Sequence, residues 1–156
     1  MRSLLTLLAV LALALLTACG ATEPADVEIT SARITEPIAG RTVSLGGFQL
    51  VAKGEDVKLV EVTSEAANRI ELHTMLNEDG VMKMRRLPDG LIVPAGQSLT
   101  LGSGGPHLMV FGLKSELVAG DTVTLNISYK QGEQIRTKSV SSIIQTLGDE
   151  TGTANN

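Results

Sequence analysis

Arg69-Ile70-Glu71-Leu72-His73-Thr74-Met75-Leu76-Asn77-Glu78-Asp79-Gly80-Val81-Met82-Lys83-Met84-Arg85-Arg86 reads as two extended segments folded back on each other. Arg69–Met75 and Val81–Arg86 carry the strand-forming pattern, and Asn77-Glu78-Asp79-Gly80 between them is a hairpin turn signal. Side chains two apart in a strand point the same way, so His73 shares a face with Met75, and Met82 shares one with Met84. The hairpin is expected to bring His73 to the early residues of Val81–Arg86, with Met84 further along that strand. Glu71 is assigned to the strand face opposite His73.

Outward from this hairpin the chain continues as short strands. Val27–Thr35, Phe48–Ala52, Leu59–Thr63, Leu99–Leu101, His107–Phe111, Thr122–Tyr129 and Gln134–Ser139 show period-two alternation or β-branched enrichment. Gly40, Gly46-Gly47, Gly54, Asp89-Gly90, Ala95-Gly96, Gly104-Gly105-Pro106 and Ala119-Gly120-Asp121 punctuate them as gaps. No segment carries a sustained helical stripe with caps. The reading is an all-β, antiparallel sandwich or barrel in a single domain, residues 27–145.

The ends carry a different message. Met1-Arg2-Ser3 is a basic start, Leu4 to Leu16 an apolar run, and Thr17-Ala18-Cys19-Gly20 a small-residue boundary. The run is shorter than the roughly 20 residues of a membrane span and has the form of a signal peptide. Leu16-Thr17-Ala18-Cys19 resembles the lipobox of exported bacterial lipoproteins. That resemblance implies a signal peptide over 1–18, lipidation of Cys19, and a membrane-anchored protein facing the periplasm or the cell exterior. Residues 19–26 then form a tether, and 146–156 a disordered tail without apolar pattern. A net charge of −4 without a clustered basic face gives no case for nucleic acid.

Both histidines and four of the five methionines fall between His73 and Met109; the fifth methionine is Met1. His107 and Met109 project together because Leu108 takes the opposite face. Two neutral imidazoles (His73 and His107) with two thioethers (Met84 and Met109) make a soft, uncharged donor set. Such a set suits cuprous ion far better than zinc, calcium or magnesium. Met75 and Met82 stand in reserve, as core residues or a second sulfur shell. The single cysteine is claimed by the anchor, which excludes a blue-copper centre and a cysteine nucleophile. No Gly-x-Ser-x-Gly elbow supports a hydrolase. Gly102-Ser103-Gly104-Gly105 lacks the Lys-Ser/Thr of a phosphate loop and reads as a turn.

Glu71-Leu72-His73-Thr74-Met75, Gly80-Val81-Met82-Lys83-Met84-Arg85, Val93-Pro94-Ala95-Gly96 and Gly104-Gly105-Pro106-His107-Leu108-Met109 together resemble the PCu(A)C family of bacterial copper chaperones. The family's signature is a histidine, a methionine eleven positions on, and a His-x-Met pair; here these are His73, Met84, His107 and Met109. The Met84–His107 interval is longer than the family's commonest spacing, and the extra length is assigned to the loop after Arg86. The resemblance implies a cupredoxin-like, Greek-key β-sandwich that is a monomer and not an enzyme. It implies a Cu(I) carrier whose acceptors are the CuA centre of cytochrome c oxidase and Sco-type thiol chaperones. A lipid-anchored interaction or assembly module without a metal is the alternative from another class.

Overall fold

The computed structural model describes residues 25–37, 40–114 and 116–146. The expected signal peptide, the lipidated Cys19, the tether as far as residue 24 and the tail from residue 147 lie outside these. Asp26, expected in the tether, already belongs to the first strand and pairs with Lys53.

The described residues form ten strands: β1 (Asp26–Thr35), β2 (Val43–Lys53), β3 (Val57–Thr63), β4 (Arg69–Glu78), β5 (Val81–Arg86), β6 (Leu91–Val93), β7 (Ser98–Thr100), β8 (His107–Phe111), β9 (Thr122–Gln131) and β10 (Gln134–Gln145). Alternation explains most of them. Along β9, Val123, Leu125, Ile127 and Tyr129 point inward, while Thr122, Thr124 and Lys130 stay at least partly in solvent. Each fully buried Leu or Ile contributes about 1.5–3 kcal/mol, and a one-residue slip would expose the whole row, so the register is fixed.

The strand order is β5-β4-β8-β2-β1-β10-β9-β3-β6, with β7 also paired to β2. All pairings are antiparallel except β1 with β10. β1 turns the corner between the two halves. Its pairing with β2 is interrupted between Thr30 and Arg33, where Ser31 takes a positive φ of 54°. Beyond that irregularity Ile34 faces both Gly46 of β2 and Ile144 of β10. β3 and β4, far apart in the strand order, pack against each other, so the sheet folds into a sandwich. Its core draws on both halves: Phe48, Leu50, Leu72 and Leu108 from one, Leu59, Leu125 and Ile127 from the other.

Two expectations about the strands need correction. Gly46-Gly47 is no gap but lies inside β2. A Cβ on Gly47 would collide with the Leu101 carbonyl, and one on Gly46 would press on the Arg33 carbonyl, so glycine here serves close backbone approach. Leu91–Val93, not among the expected strands, is a short edge strand on β3.

This arrangement decides where the histidines go. Leu72 of β4 and Leu108 and Val110 of β8 face the core. His73, His107 and Met109 therefore occupy the outer face of the β5-β4-β8-β2 half.

Candidate metal centre

β4 and β8 pair so that His73 stands directly opposite His107, and Glu71 opposite Met109. The two imidazole centroids are 6.1 Å apart with their planes inclined by 36°. One strand further out, β5 sets Met84 against Met75 and Met82 against Asn77. On the outer face the rows thus run Met84–Met75, then Arg86–His73–His107, then Glu71–Met109–Leu45.

The register departs from the sequence expectation for the hairpin. His73 pairs with Arg86, the last residue of β5, and not with its early residues. The turn is only Asp79-Gly80, both at positive φ, with the Gly80 N–H donating to Asn77 Oδ1 at 2.9 Å. Such a tight turn places Val81 opposite Glu78, so each step back along β4 meets a step forward along β5.

The loop from Leu101 to Pro106 roofs the site. β7 and β8 share one edge of β2, against Gln49–Val51 and Val43–Gly46 respectively. The connection between them crosses where Gly47 lets the Leu101 carbonyl approach. Gly102, Ser103 and Gly104 then form one wall of a cleft of about 230 Å³, with Leu45, Gly46, Met75, Met84 and His107 as the rest. His107 is 4% exposed. A larger cleft of about 530 Å³ at Ser64, Lys114 and Thr124 has no histidine or methionine in its walls.

The hydrogen bonds of the two imidazoles define which nitrogen each keeps free. His107 Nδ1 lies 2.8 Å from the Gly105 carbonyl, and His73 Nε2 lies 3.0 Å from Glu71 Oε2. A carbonyl and an ionised carboxylate only accept, so His107 donates from Nδ1 and His73 from Nε2. The remaining lone-pair nitrogens, His107 Nε2 and His73 Nδ1, are buried and have no hydrogen-bond partner among the described residues. Buried imidazole nitrogens are ordinarily satisfied. Two orphaned lone pairs on adjoining rings make a site with donors ready for a cation.

Glu71 corrects another expectation. It is two residues before His73 in the strand and so shares its face, where the pair touches. Its carboxyl is held below the ordinary glutamate value, chiefly by the bond from His73, with the Arg86 and Arg69 guanidiniums adding to this against partial burial. Arg69 Nε donates to Glu71 Oε1 at 3.1 Å and its guanidinium lies 3.9 Å from the Phe111 ring centroid. The signal for this brace was the Glu-x-His spacing itself.

The four signature residues are not gathered equally. His107 and Met84 line one cleft, His73 adjoins through its ring contact with His107, and Met109 lies on the same face one row beyond, half-buried against Leu45 and Glu71. Met75 is half-buried in the cleft wall, and Met82 is 53% exposed on the open strand; neither is in the core.

Known proteins share this architecture. The copper-bound PCuAC domain from PmoF2 superimposes with a TM-score of 0.62 at 15% identity, covering 77% of this chain and 92% of that one; this is a likeness of fold. The Cu(I) form of DR1885 from Deinococcus radiodurans gives a TM-score of 0.59 at 27% identity, over 86% and 87% of the two chains. A protein described as a lipoprotein, Lxx21020 of Leifsonia xyli subsp. xyli (strain CTCB07), is 30% identical over 106 residues, 68% of this chain and 63% of that one. The chain spans just under two thirds of the length of the curated relatives it matches. The family model described as LpqE-like lipoproteins matches residues 27–140, nearly the whole β-sandwich. The chain belongs to the LpqE-like family, built on the fold of the PCuAC domains.

Proposed function

We propose that this protein is an extracytoplasmic Cu(I) carrier, held at a membrane by a lipid on Cys19. Its ligands are His73 Nδ1, His107 Nε2 and the thioethers of Met84 and Met109, with Met75 as a neighbouring sulfur and Met82 outside the set. The observation that carries this reading is the pair of buried imidazole nitrogens, without partners among the described residues, on facing residues amid methionines. The donor chemistry fits: neutral nitrogen and thioether sulfur favour a soft monovalent ion over zinc or magnesium. The 27% identity to a protein solved with Cu(I) bound supports the same assignment.

A carrier must bind and let go. Met84 is 43% exposed on an edge strand, whereas His107 sits beneath the glycine loop. An acceptor's donor atom therefore displaces Met84 first, leaving the ion on that donor and three ligands of this chain, with the buried imidazole of His107 released last. Copper stays Cu(I) throughout; only ligands exchange. Thioethers are weaker donors than thiolates, so transfer to a cysteine-bearing acceptor runs downhill. The CuA centre of cytochrome c oxidase and Sco-type chaperones are acceptors of that chemistry.

The test mixes the Cu(I)-loaded chain with a copper-free CuA domain and follows copper after separation. Copper leaving with the acceptor supports the carrier reading. Copper that stays put, or a chain that takes up none, contradicts it and leaves an anchored interaction module.

A further inference from the structure

The outer face of β4 holds more than ligands. Phe111, Arg69, Glu71 and His73 form a continuous run: the Arg69 guanidinium on the Phe111 ring at 3.9 Å, Arg69 Nε to Glu71 Oε1 at 3.1 Å, and Glu71 Oε2 to His73 Nε2 at 3.0 Å. Arg86, opposite His73, adds a cation 3.8 Å from Glu71 Oε1. The glutamate is thus fixed from one oxygen while the other accepts the hydrogen bond from the imidazole N–H.

We propose that Glu71, braced by Arg69, is the positioning residue of the site: it holds His73 as the Nε2–H tautomer and aims Nδ1 at the metal. This rests on the Cu(I) reading above. A neutral imidazole exchanges freely between two tautomers, and only one leaves Nδ1 as a donor. An acceptor-only carboxylate at Nε2 selects that one and orients the ring. His107 has its own selector in the Gly105 carbonyl, which chooses the opposite nitrogen. The site therefore presents one Nδ1 and one Nε2, each chosen by a different acceptor. Held by the arginines, the carboxylate does not swing in to become a ligand itself, and so the ion meets neutral donors only.

The experiment uses the full chain, ¹⁵N-labelled in detergent micelles, in three forms: wild type, Glu71→Ala and Glu71→Gln. Imidazole ¹⁵N–¹H correlation spectra of the copper-free protein report the His73 tautomer, and competition against a Cu(I) chelator reports affinity. The expected result is a single Nε2–H tautomer in wild type and a mixture in Glu71→Ala, with Cu(I) affinity about 10–100-fold lower in Glu71→Ala. Glu71→Gln, whose amide oxygen still accepts, keeps the tautomer and recovers most of that loss. A wild-type His73 found with its proton on Nδ1 overturns the proposal without any variant. So does a Glu71→Ala protein in which either the tautomer or the affinity is unchanged. If the wild type binds no Cu(I), the carrier reading fails while the spectra still decide whether Glu71 sets the tautomer.

Discussion

His73 and His107 face each other directly across β4 and β8, and each spends one ring nitrogen on a different acceptor-only oxygen. Their other nitrogens, Nδ1 and Nε2, are left buried and without a partner among the described residues. A packed protein keeps few such atoms, because each costs about 1–3 kcal/mol when unsatisfied. A metal ion removes that cost, which makes this pair the feature from which the expected behaviour follows.

Met84 and Met82 lie on one face of β5, but only Met84 lines the cleft. Met84→Ala should weaken Cu(I) about tenfold or more, roughly 1.4 kcal/mol or above. Met82→Ala, opposite Asn77, should change it less than twofold. Chelator competition on both variants checks the contrast.

Peroxide should distinguish the same residues without mutation. Met82 and Met84, at 53% and 43% exposure, should become sulfoxides faster than half-buried Met75 and Met109. Bound Cu(I) should protect Met84 and leave Met82 as reactive as before. Peptide mass spectrometry with and without copper reads both rates.

The roof of the site depends on Gly47. Gly47→Ala forces its Cβ into the Leu101 carbonyl, where backbone on both sides must shift. Stability should fall by about 1–3 kcal/mol in chemical denaturation. Cu(I) binding should weaken as well, because the same connection carries Gly102–Gly104 over His107.

Glu78 gives the hairpin an acid-sensitive clamp. Arg85 holds it through both oxygens at 2.9 and 2.8 Å and Lys83 joins at 3.0 Å. The Arg85 bonds, then Lys83, hold its carboxyl below the usual 4.5. A depressed native value means the stabilisation is complete above pH 4.5 and is lost as pH falls through the lower native value. The effect is modest because the pair is exposed to solvent and salt. Urea midpoints of Glu78→Gln should therefore lie below wild type near neutrality and converge with it in acid, with a smaller gap at high salt.

The β4–β5 hairpin was legible because Asp79-Gly80 fits few other structures and the flanking alternation is regular. Its register was not: the consequence of a two-residue turn is that Met75, not His73, meets Met84. β6 escaped notice because three residues at an edge carry too little pattern. Gly46-Gly47 imitated a loop signal, since a glycine needed for close approach looks the same in sequence as one needed for a turn. The ligand types stood out through their clustering in a chain with two histidines. Their tautomers did not, because the Gly105 carbonyl and the reach of Glu71 are properties of the folded backbone. Met75 beside the cleft was likewise a matter of register, fixed only once β5 was paired.

The most direct test is a competition titration of the full chain in micelles with Cu(I) against a colorimetric chelator, run beside His73→Ala and His107→Ala. The account predicts one tight equivalent in wild type and a loss of at least about a hundredfold, roughly 2.7 kcal/mol, in each variant. Wild-type binding no stronger than that of the variants would contradict it.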